Sequence, residues 1–334
     1  KCAYEMLKST GHEEISLSSL SSSDYSQLKE LVYFLIDEFG SKGINISLPS
    51  LRIDAFSLDV MGKVQDIRKS SITFAPEAGT QRLRDVINKG LTEDSILNGA
   101  REAFQNGWNR VKLYFMMGLP EETDEDVEGI AVLADKIAGV YYEMPKERRQ
   151  GKVNVVASTS FFVPKPFTPF QWCAMDTPEE YIRKQRLLKG SINRQPHGNC
   201  IKYSWHDAEL SVLEGVFARG DRRLCNVIYD AYKAGCMYDS WSEYFDYGKW
   251  LDAFEKNGIS ISFYTCRERQ EDEVFPWDII DAGVSKSFLL REYRRAISGK
   301  TTPNCREMCF NCGAKQFGGG VCFIEREAVY EGKD

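Results

Sequence analysis

Four cysteines crowd the carboxyl-terminal segment of the chain. They are Cys305, Cys309, Cys312 and Cys322, and a glycine-rich turn separates the third from the fourth. Thiolates that close a short loop are typical ligands of zinc and of iron–sulfur clusters, and glycines let the backbone fold around such a centre. The pattern therefore predicts a metal site. A set of clustered free thiols is the alternative, but a protein has little reason to keep reactive thiols exposed.

The spacing of the first three cysteines, Cys-x3-Cys-x2-Cys, is also that of a [4Fe–4S] cluster that activates S-adenosylmethionine. Such a cluster uses three thiolates and leaves one iron open. A fourth cysteine nearby would close that position, and the motif is expected to lie far from the strand-end turns described next. We therefore expect either a structural zinc bound by all four thiolates or a closed iron–sulfur cluster.

Two short apolar runs, residues 72–75 and 111–117, are rich in branched and aromatic residues, which predicts buried strands. Each run leads into a glycine turn that carries a carboxylate: Glu77 with Gly79, and Gly118 with Glu121. Helical patterns follow both turns. Strand, turn and helix in repetition indicate a parallel sheet, whose ligands bind at the carboxyl ends of the strands.

The same alternation extends over the first part of the chain. Further strands are expected at residues 14–20, 45–48 and 153–163, and helices are expected to begin at Thr80, Thr92, Thr123 and Thr177. Residues 1–190 thus contain at least five strand–helix units, which is most of a (β/α) barrel. Arg52 follows the second of these strands. It either pairs locally with Asp54 or faces an anionic ligand.

After Gly190 the alternation is expected to stop. Residues 191–298 read as a mostly helical extension rich in aromatic residues, which favour a core over a stacking platform, and residues 299–334 form the cysteine-rich tail. His206 and Asp207 form either a helix cap or a pair that acts as acid and base or binds a ligand. Because residues 1–10 read as a helix without a start signal, we expect a segment upstream of them.

Composition narrows the class of protein. A net charge of −6 argues against a broad phosphate-binding surface, and no apolar run approaches the ~20 residues that span a bilayer. Ten cysteines without a secretory signal indicate a reducing compartment, so a cytoplasmic protein without membrane contact is expected. The six cysteines outside the tail are expected to be buried thiols.

Several motifs, taken in order, resemble known proteins. Residues 71–90 are similar to the fourth strand–helix unit of radical S-adenosylmethionine (radical SAM) enzymes, and residues 114–122 to their fifth-strand motif. Residues 15–21, 162–172, 218–223 and the tail more narrowly resemble a cobalamin-binding radical SAM family of unassigned function. The resemblance covers nearly the whole chain.

This resemblance implies a partial (β/α)6, TIM-like barrel whose first strand is followed by a three-cysteine loop that binds [4Fe–4S]. It also implies a cobalamin-binding domain before the barrel. We expect the first unit, the cysteine loop and that domain to be missing here, or to belong to a separate chain. The chain would then be the carboxyl-terminal part of a radical SAM enzyme and inactive alone in cleaving S-adenosylmethionine.

The resemblance also assigns roles residue by residue. Ser18 and Ser19 match the turn that meets the methionine amino group, Glu77 a polar residue near the ribose, and Lys89 a basic residue that pairs with the methionine carboxylate. The turn that borders the adenine corresponds to Met117, Gly118 and Leu119. Together with Arg52 and Gly79 from the strand-end turns, these residues are the predicted cofactor-binding set.

The resemblance implies reductive cleavage of S-adenosylmethionine to a 5′-deoxyadenosyl radical. It also implies a cobalamin-dependent transfer of a methyl group or radical to an unknown substrate, a small molecule or RNA. Two other classes of function stay open at this point. One is a TIM-like barrel enzyme that uses Glu77 and Glu121 as acid and base. The other is a metal-bound module without activity, which binds RNA or protein through the tail and residues 219–223.

Overall fold

A computed structural model describes residues 1–17, 25–47, 72–305 and 307–317 of the chain. Four residues with predicted binding roles lie outside these ranges: Ser18, Ser19, Arg52 and Cys322. Within the described ranges, no helix is both long enough and apolar enough to cross a membrane.

Strands and helices alternate along much of the described chain. The strands are β1 (Glu14–Ser16), β2 (Asn45–Ser47), β3 (Ile72–Glu77), β4 (Arg110–Met117), β5 (Asn154–Phe161) and β6 (Ile201–Trp205). The helices are α1 (Cys2–Thr10), α2 (Leu28–Phe39), α3 (Gln81–Val86), α4 (Glu93–Gln105), α5 (Asp124–Glu143), α6 (Pro178–Arg194), α7 (Ala208–Arg219), α8 (Leu224–Lys233), α9 (Tyr247–Lys256), α10 (Ile261–Thr265) and α11 (Lys286–Ile297).

Strands β3 to β6 form one parallel sheet in chain order. Arg110 of β4 lies opposite Asn154 of β5, and Met117 lies opposite Phe161 at the other end. Strands β1 and β2 pair in parallel as a separate two-stranded sheet. The α/β class is therefore confirmed. Closure into a partial (β/α)6 barrel stays a prediction, because residues 48–71 between β2 and β3 lie outside the described ranges.

The main core lies between the larger sheet and the helices that connect its strands. Every second residue of β4 is buried: Val111, Leu113, Phe115 and Met117. Helix α5 contributes Ile130 and Ala134 to the same core. Since burying one large apolar side chain stabilises the fold by roughly 1.5–3 kcal/mol, this layer holds β4 against α5.

The predicted helix starts are confirmed. The side chains of Thr80, Thr92 and Thr177 each accept a backbone N–H at the start of α3, α4 and α6. Thr123 begins α5 with a capping box. Asp207 accepts the N–H of Leu210 at the start of α7, so its contact is that of a helix cap.

The expectation that strand–helix alternation stops after Gly190 is wrong. Strand β6 follows and pairs with β5, with Ile201 opposite Val155. Only Ile201 of this strand is buried. An edge strand with one buried residue lacks the apolar run by which the inner strands are recognised, which is why the pattern missed it. The predicted boundaries at 190 and 298 remain predictions.

Helices α7 to α10 surround a second core, which confirms the core interpretation for only part of the aromatic residues. Trp250 and Phe254, one turn apart on α9, are buried together with Tyr264. In contrast, Tyr238 and Trp241 are each more than 60 % exposed. They lie between α8 and α9, where no helical period directs them inward.

Candidate functional site

The turn after β3 holds an ion pair at the end of the sheet. Glu77, the last residue of β3, accepts a hydrogen bond from Lys89 at 3.1 Å between Oε1 and Nζ. About a quarter of each side chain is exposed. The backbone of Glu77 has a φ of +66°, a conformation that costs a non-glycine residue about 1–3 kcal/mol and is frequent in functional sites. Two of the predicted binding residues are thus brought together.

Gly79 lets this turn contact the next helix at very close range. A Cβ atom at Gly79 would lie 2.3 Å from the backbone nitrogen of Ile130 and 2.5 Å from the carbonyl oxygen of Asp126. Neither backbone atom can move away without shifting α5. The packing of the β3 turn on α5 therefore requires a glycine at position 79. This structural role is separate from the predicted role of Gly79 in binding.

A buried carboxylate joins the turns after β3 and β4. Asp126 accepts hydrogen bonds from the Thr80 hydroxyl and from the Arg82 guanidinium. Arg82 also donates to the carbonyl oxygen of Glu121 at 2.7 Å. Burial alone would raise the pKa of Asp126, but the hydrogen bonds from Thr80, Thr123 and Arg82 hold it below its usual value. Both turns are therefore held in one arrangement.

The glycine turn after β4 is held in place by a group of buried charged side chains. The Gly118 N–H donates to Oε1 of Glu122 at 2.8 Å, and the same oxygen accepts from Lys184 at 2.8 Å. Lys184 also contacts Asp176 at 2.6 Å. None of these three supporting residues was predicted as a site residue from the sequence. Glu122 stands four residues after Gly118, which was the local signal that could have indicated it.

Burial and pairing oppose each other in this group. Burial raises the pKa of Glu122 above its usual value, although Lys184 and Gly118 stabilise the carboxylate. For Lys184, burial lowers the pKa, but the two carboxylates outweigh it and raise the pKa overall. The ammonium group is therefore firmly charged, and it fixes the Gly118 turn from inside the protein.

The other predicted residues of the β4 turn point into the protein. The side chains of Met117 and Leu119 are at most 4 % exposed and belong to the cores below the turn. In the described structure they are therefore packing residues. Because these side chains are buried, only their backbone atoms could contact adenine, and that contact stays a prediction.

A buried thiol lies in the same apolar cluster as the two turns. Cys173 packs with Ala78 and Leu119, and burial raises the pKa of its thiol to about 12. Cys173 and Cys236 confirm the expectation of buried thiols, whereas Cys2 and Cys225 are exposed and contradict it. Single cysteines carry no spacing signal that would distinguish the two cases.

The tail is anchored beside the ion pair. The side-chain amide of Asn88 donates to the carbonyl oxygen of Thr302 at 3.0 Å and accepts from its N–H at 2.9 Å. Arg295 of α11 holds the Thr302 hydroxyl at 2.9 Å. Asn88 immediately precedes Lys89, and Cys305 follows three residues after Thr302. Thr302 therefore lies next to the turn that leads to Lys89, whereas the distance of the cysteine motif from the strand-end turns stays a prediction.

The predicted metal site is only partly described. Cys305 and Cys309 are exposed and Cys312 is half-buried. Among the described residues, no group of three or more histidine, cysteine or acidic side chains is placed to hold a metal ion. Because Cys322 lies outside the described ranges, a site with all four cysteines stays a prediction.

Comparison with known proteins gives two findings. Residues 3–134 match the sequence model of the Radical SAM superfamily. An uncharacterized protein of Methanocaldococcus jannaschii is 29 % identical over 257 residues, which are 77 % of this chain and 52 % of the relative. The chain therefore spans about half the length of this relative. The superfamily implies S-adenosylmethionine and a [4Fe–4S] cluster, and the match contains Glu77, Lys89 and Gly118. Residues 3–134 thus carry a Radical SAM superfamily domain.

Proposed function

We propose that this chain is part of a radical SAM enzyme and that its strand-end site binds S-adenosylmethionine. We use the name strand-end site for the turns at residues 77–80 and 117–123 together with Lys89. The observation that carries the proposal is the partly exposed ion pair of Glu77 and Lys89. It stands at the carboxyl end of a parallel strand, within the range that matches the Radical SAM superfamily.

The two charges suit the methionine and ribose portions of this ligand. In the proposal, the Lys89 ammonium binds the methionine carboxylate, and the Glu77 carboxylate accepts hydrogen bonds from ribose hydroxyl groups. Both side chains are partly exposed and pair with each other at 3.1 Å. A partly exposed pair of this kind contributes ~1 kcal/mol or less, so a ligand that offers a carboxylate to Lys89 and hydroxyl groups to Glu77 can replace it.

The remaining residues of the site would orient the ligand and exclude water. Gly118 is held by Glu122, and the β3 turn is held on α5 by Gly79 and Asp126. When bound beside a reduced iron–sulfur cluster, S-adenosylmethionine supplies one-electron chemistry that abstracts hydrogen from a substrate. Within the described ranges, no three cysteines come together as that cluster requires, so it is assigned to none of these residues.

Cobalamin-dependent methyl transfer is the finer form of the proposal, and it rests on the resemblance of the motifs alone. The substrate, a small molecule or RNA, is not identified by any described contact. If the protein carries the cobalamin-binding domain that the resemblance implies, it should bind a corrinoid, which a shift of the visible absorption spectrum would report. The alternative of a binding module without activity is not favoured by the comparisons.

Calorimetric titration with S-adenosylmethionine tests the proposal without requiring turnover. We expect weak binding that Lys89→Met and Glu77→Gln each weaken by roughly three- to tenfold, because each variant removes a charged hydrogen bond from a partly exposed site. Lys136→Met is the matched control, since Lys136 forms an exposed ion pair with Glu93 and is not part of the strand-end site. No heat at millimolar ligand, or equal binding by all variants, would contradict the proposal.

A further inference from the structure

The helical extension contains a cavity that the radical SAM interpretation does not use. It is open to solvent and has a volume of about 820 Å³, which lies within the range of roughly 300–1,000 Å³ for small-ligand sites. The cavity lies between the end of α8 and the start of α9, beyond residues 3–134 that match the Radical SAM superfamily. We call it the extension cavity.

Aromatic rings form much of its lining. Tyr238 and Tyr244 contact each other with ring centroids 5.9 Å apart, and Phe245 and Tyr247 form a second pair at 6.2 Å. Tyr238 and Tyr244 are each at least 60 % exposed, and Trp241 between them in sequence is 62 % exposed. Leaving these large rings in water forfeits the apolar burial by which aromatic side chains usually stabilise a fold.

The polar part of the lining is acidic. Glu209, Glu243 and Asp246 line the cavity, and Lys249 is the basic residue among the lining side chains. Lys249 is paired with Asp246 at 3.8 Å. Within the described ranges, neither Glu209 nor Glu243 forms an ion pair with a lysine, arginine or histidine. Burial, together with the nearby Glu209 carboxylate, raises the pKa of Tyr247, so Glu209 lies close to one of the rings.

We propose that the extension cavity binds the cationic side chain of a lysine or arginine from a basic segment of a partner protein. Aromatic faces attract ammonium and guanidinium groups, and carboxylates form charge-assisted hydrogen bonds with the same groups. The carboxylates disfavour the phosphates of RNA. An apolar partner would bury Glu209 and Glu243 without a counter-charge. The inference stands independently of S-adenosylmethionine binding.

Peptide titration of the whole chain tests this inference. The probe is a fluorescently labelled, glycine-rich peptide with two arginines, compared with the same peptide in which uncharged citrulline replaces both. We expect the arginine peptide to bind roughly three- to thirtyfold more tightly, the range that a cation–π contact supports. Tyr238→Leu and Glu243→Gln should each weaken binding of the arginine peptide by roughly threefold or more.

Tyr229→Leu is the matched control. Tyr229 is 58 % exposed on α8 but is not part of the cavity lining, and Lys233 already lies over its ring. This variant should bind the arginine peptide as tightly as the unchanged chain does. Since Tyr238 and Glu243 are exposed, both test variants should keep the circular dichroism spectrum of the folded chain.

Three results would overturn the inference. The first is equal binding of the arginine and citrulline peptides. The second is unchanged binding by Tyr238→Leu and Glu243→Gln in chains whose fold is intact. The third is tighter binding of a short single-stranded RNA than of the arginine peptide, with loss of that binding in Tyr238→Leu. That pattern would identify the rings as a stacking platform for bases.

Discussion

The strand-end site and the extension cavity are both polar regions next to apolar cores, but they differ in how their charges are paired. In the strand-end site, Glu77 pairs with Lys89, and Glu122 pairs with Lys184. In the extension cavity, Glu209 and Glu243 have no basic partner within the described ranges. The first region is held in shape by its own charges, whereas the second presents charges to a partner.

The strand-end site itself has an outer and an inner layer of charge. Glu77 and Lys89 are each about a quarter exposed, so solvent screens their attraction and a ligand can separate them. Glu122 and Lys184 are 2 % and 7 % exposed, and their separation would leave charges in a medium that solvates them poorly. Exchange with a ligand is therefore expected at the outer pair, and rigidity at the inner pair.

The largest predicted effect concerns the inner layer. Lys184→Met keeps a long side chain but leaves Glu122 and Asp176 without their cation. We expect the free energy of unfolding to fall by about 3–5 kcal/mol at neutral pH, the usual cost of breaking a buried pair on one side. Urea denaturation followed by circular dichroism measures this change.

The sign of its pH dependence follows from the carboxyl groups. Burial already raises the pKa of Glu122, and loss of Lys184 raises it further, so the variant should recover stability as the pH falls and Glu122 becomes neutral. Lys136→Met, which removes the cation of an exposed pair, should change stability by about 0.5 kcal/mol or less. If Lys184→Met lowered the free energy of unfolding equally little, the buried charges would not be what stabilises the Gly118 turn.

The strands, turns and helix starts of the strand-end site could be predicted because their signals are local. Apolar runs indicate β3 and β4, and threonines mark the helix starts. Lys184 could not be predicted as a partner of Glu122, because the two lie far apart in sequence and meet only when α6 packs on α5. Strand β6 was missed for a related reason, since an edge strand needs few apolar residues.

An intermediate effect is expected where the tail is attached to the strand-end site. Asn88 has a φ of +53°, so Asn88→Gly removes the two hydrogen bonds to Thr302 without straining the backbone. We expect the free energy of local opening of the tail to fall by about 1–2 kcal/mol, with no change elsewhere in the fold. Hydrogen exchange at residues 301–317 should become faster, while exchange in β4 should not change.

Asn98→Gly serves as a control for the loss of an asparagine side chain, because Asn98 lies exposed on α4 and its side chain bonds to Arg101. It should leave exchange in residues 301–317 unchanged. If Asn88→Gly also left it unchanged, the contacts of the tail with α11 and with residues 281–285 would suffice to hold it.

The aromatic residues show most clearly what composition cannot decide. Residues 238–254 place exposed and buried rings in one short stretch, and a core and a binding surface use the same residue types. The distinction comes from period and neighbours. Trp250 and Phe254 face the second core together because a helix brings positions four apart onto one face, whereas Trp241 precedes α9.

The smallest predicted effect follows from this difference. Trp241→Ala should change the free energy of unfolding by about 0.5 kcal/mol or less, because its side chain is already in water. Trp250 is only 6 % exposed, so Trp250→Ala should lower the free energy of unfolding by about 3–5 kcal/mol because it leaves a cavity in the core. Urea midpoints of both variants measure the contrast. A loss for Trp241→Ala as large as that for Trp250→Ala would mean that residues 237–246 pack as core in solution, and the extension cavity would then have no exposed rings with which to bind a cation.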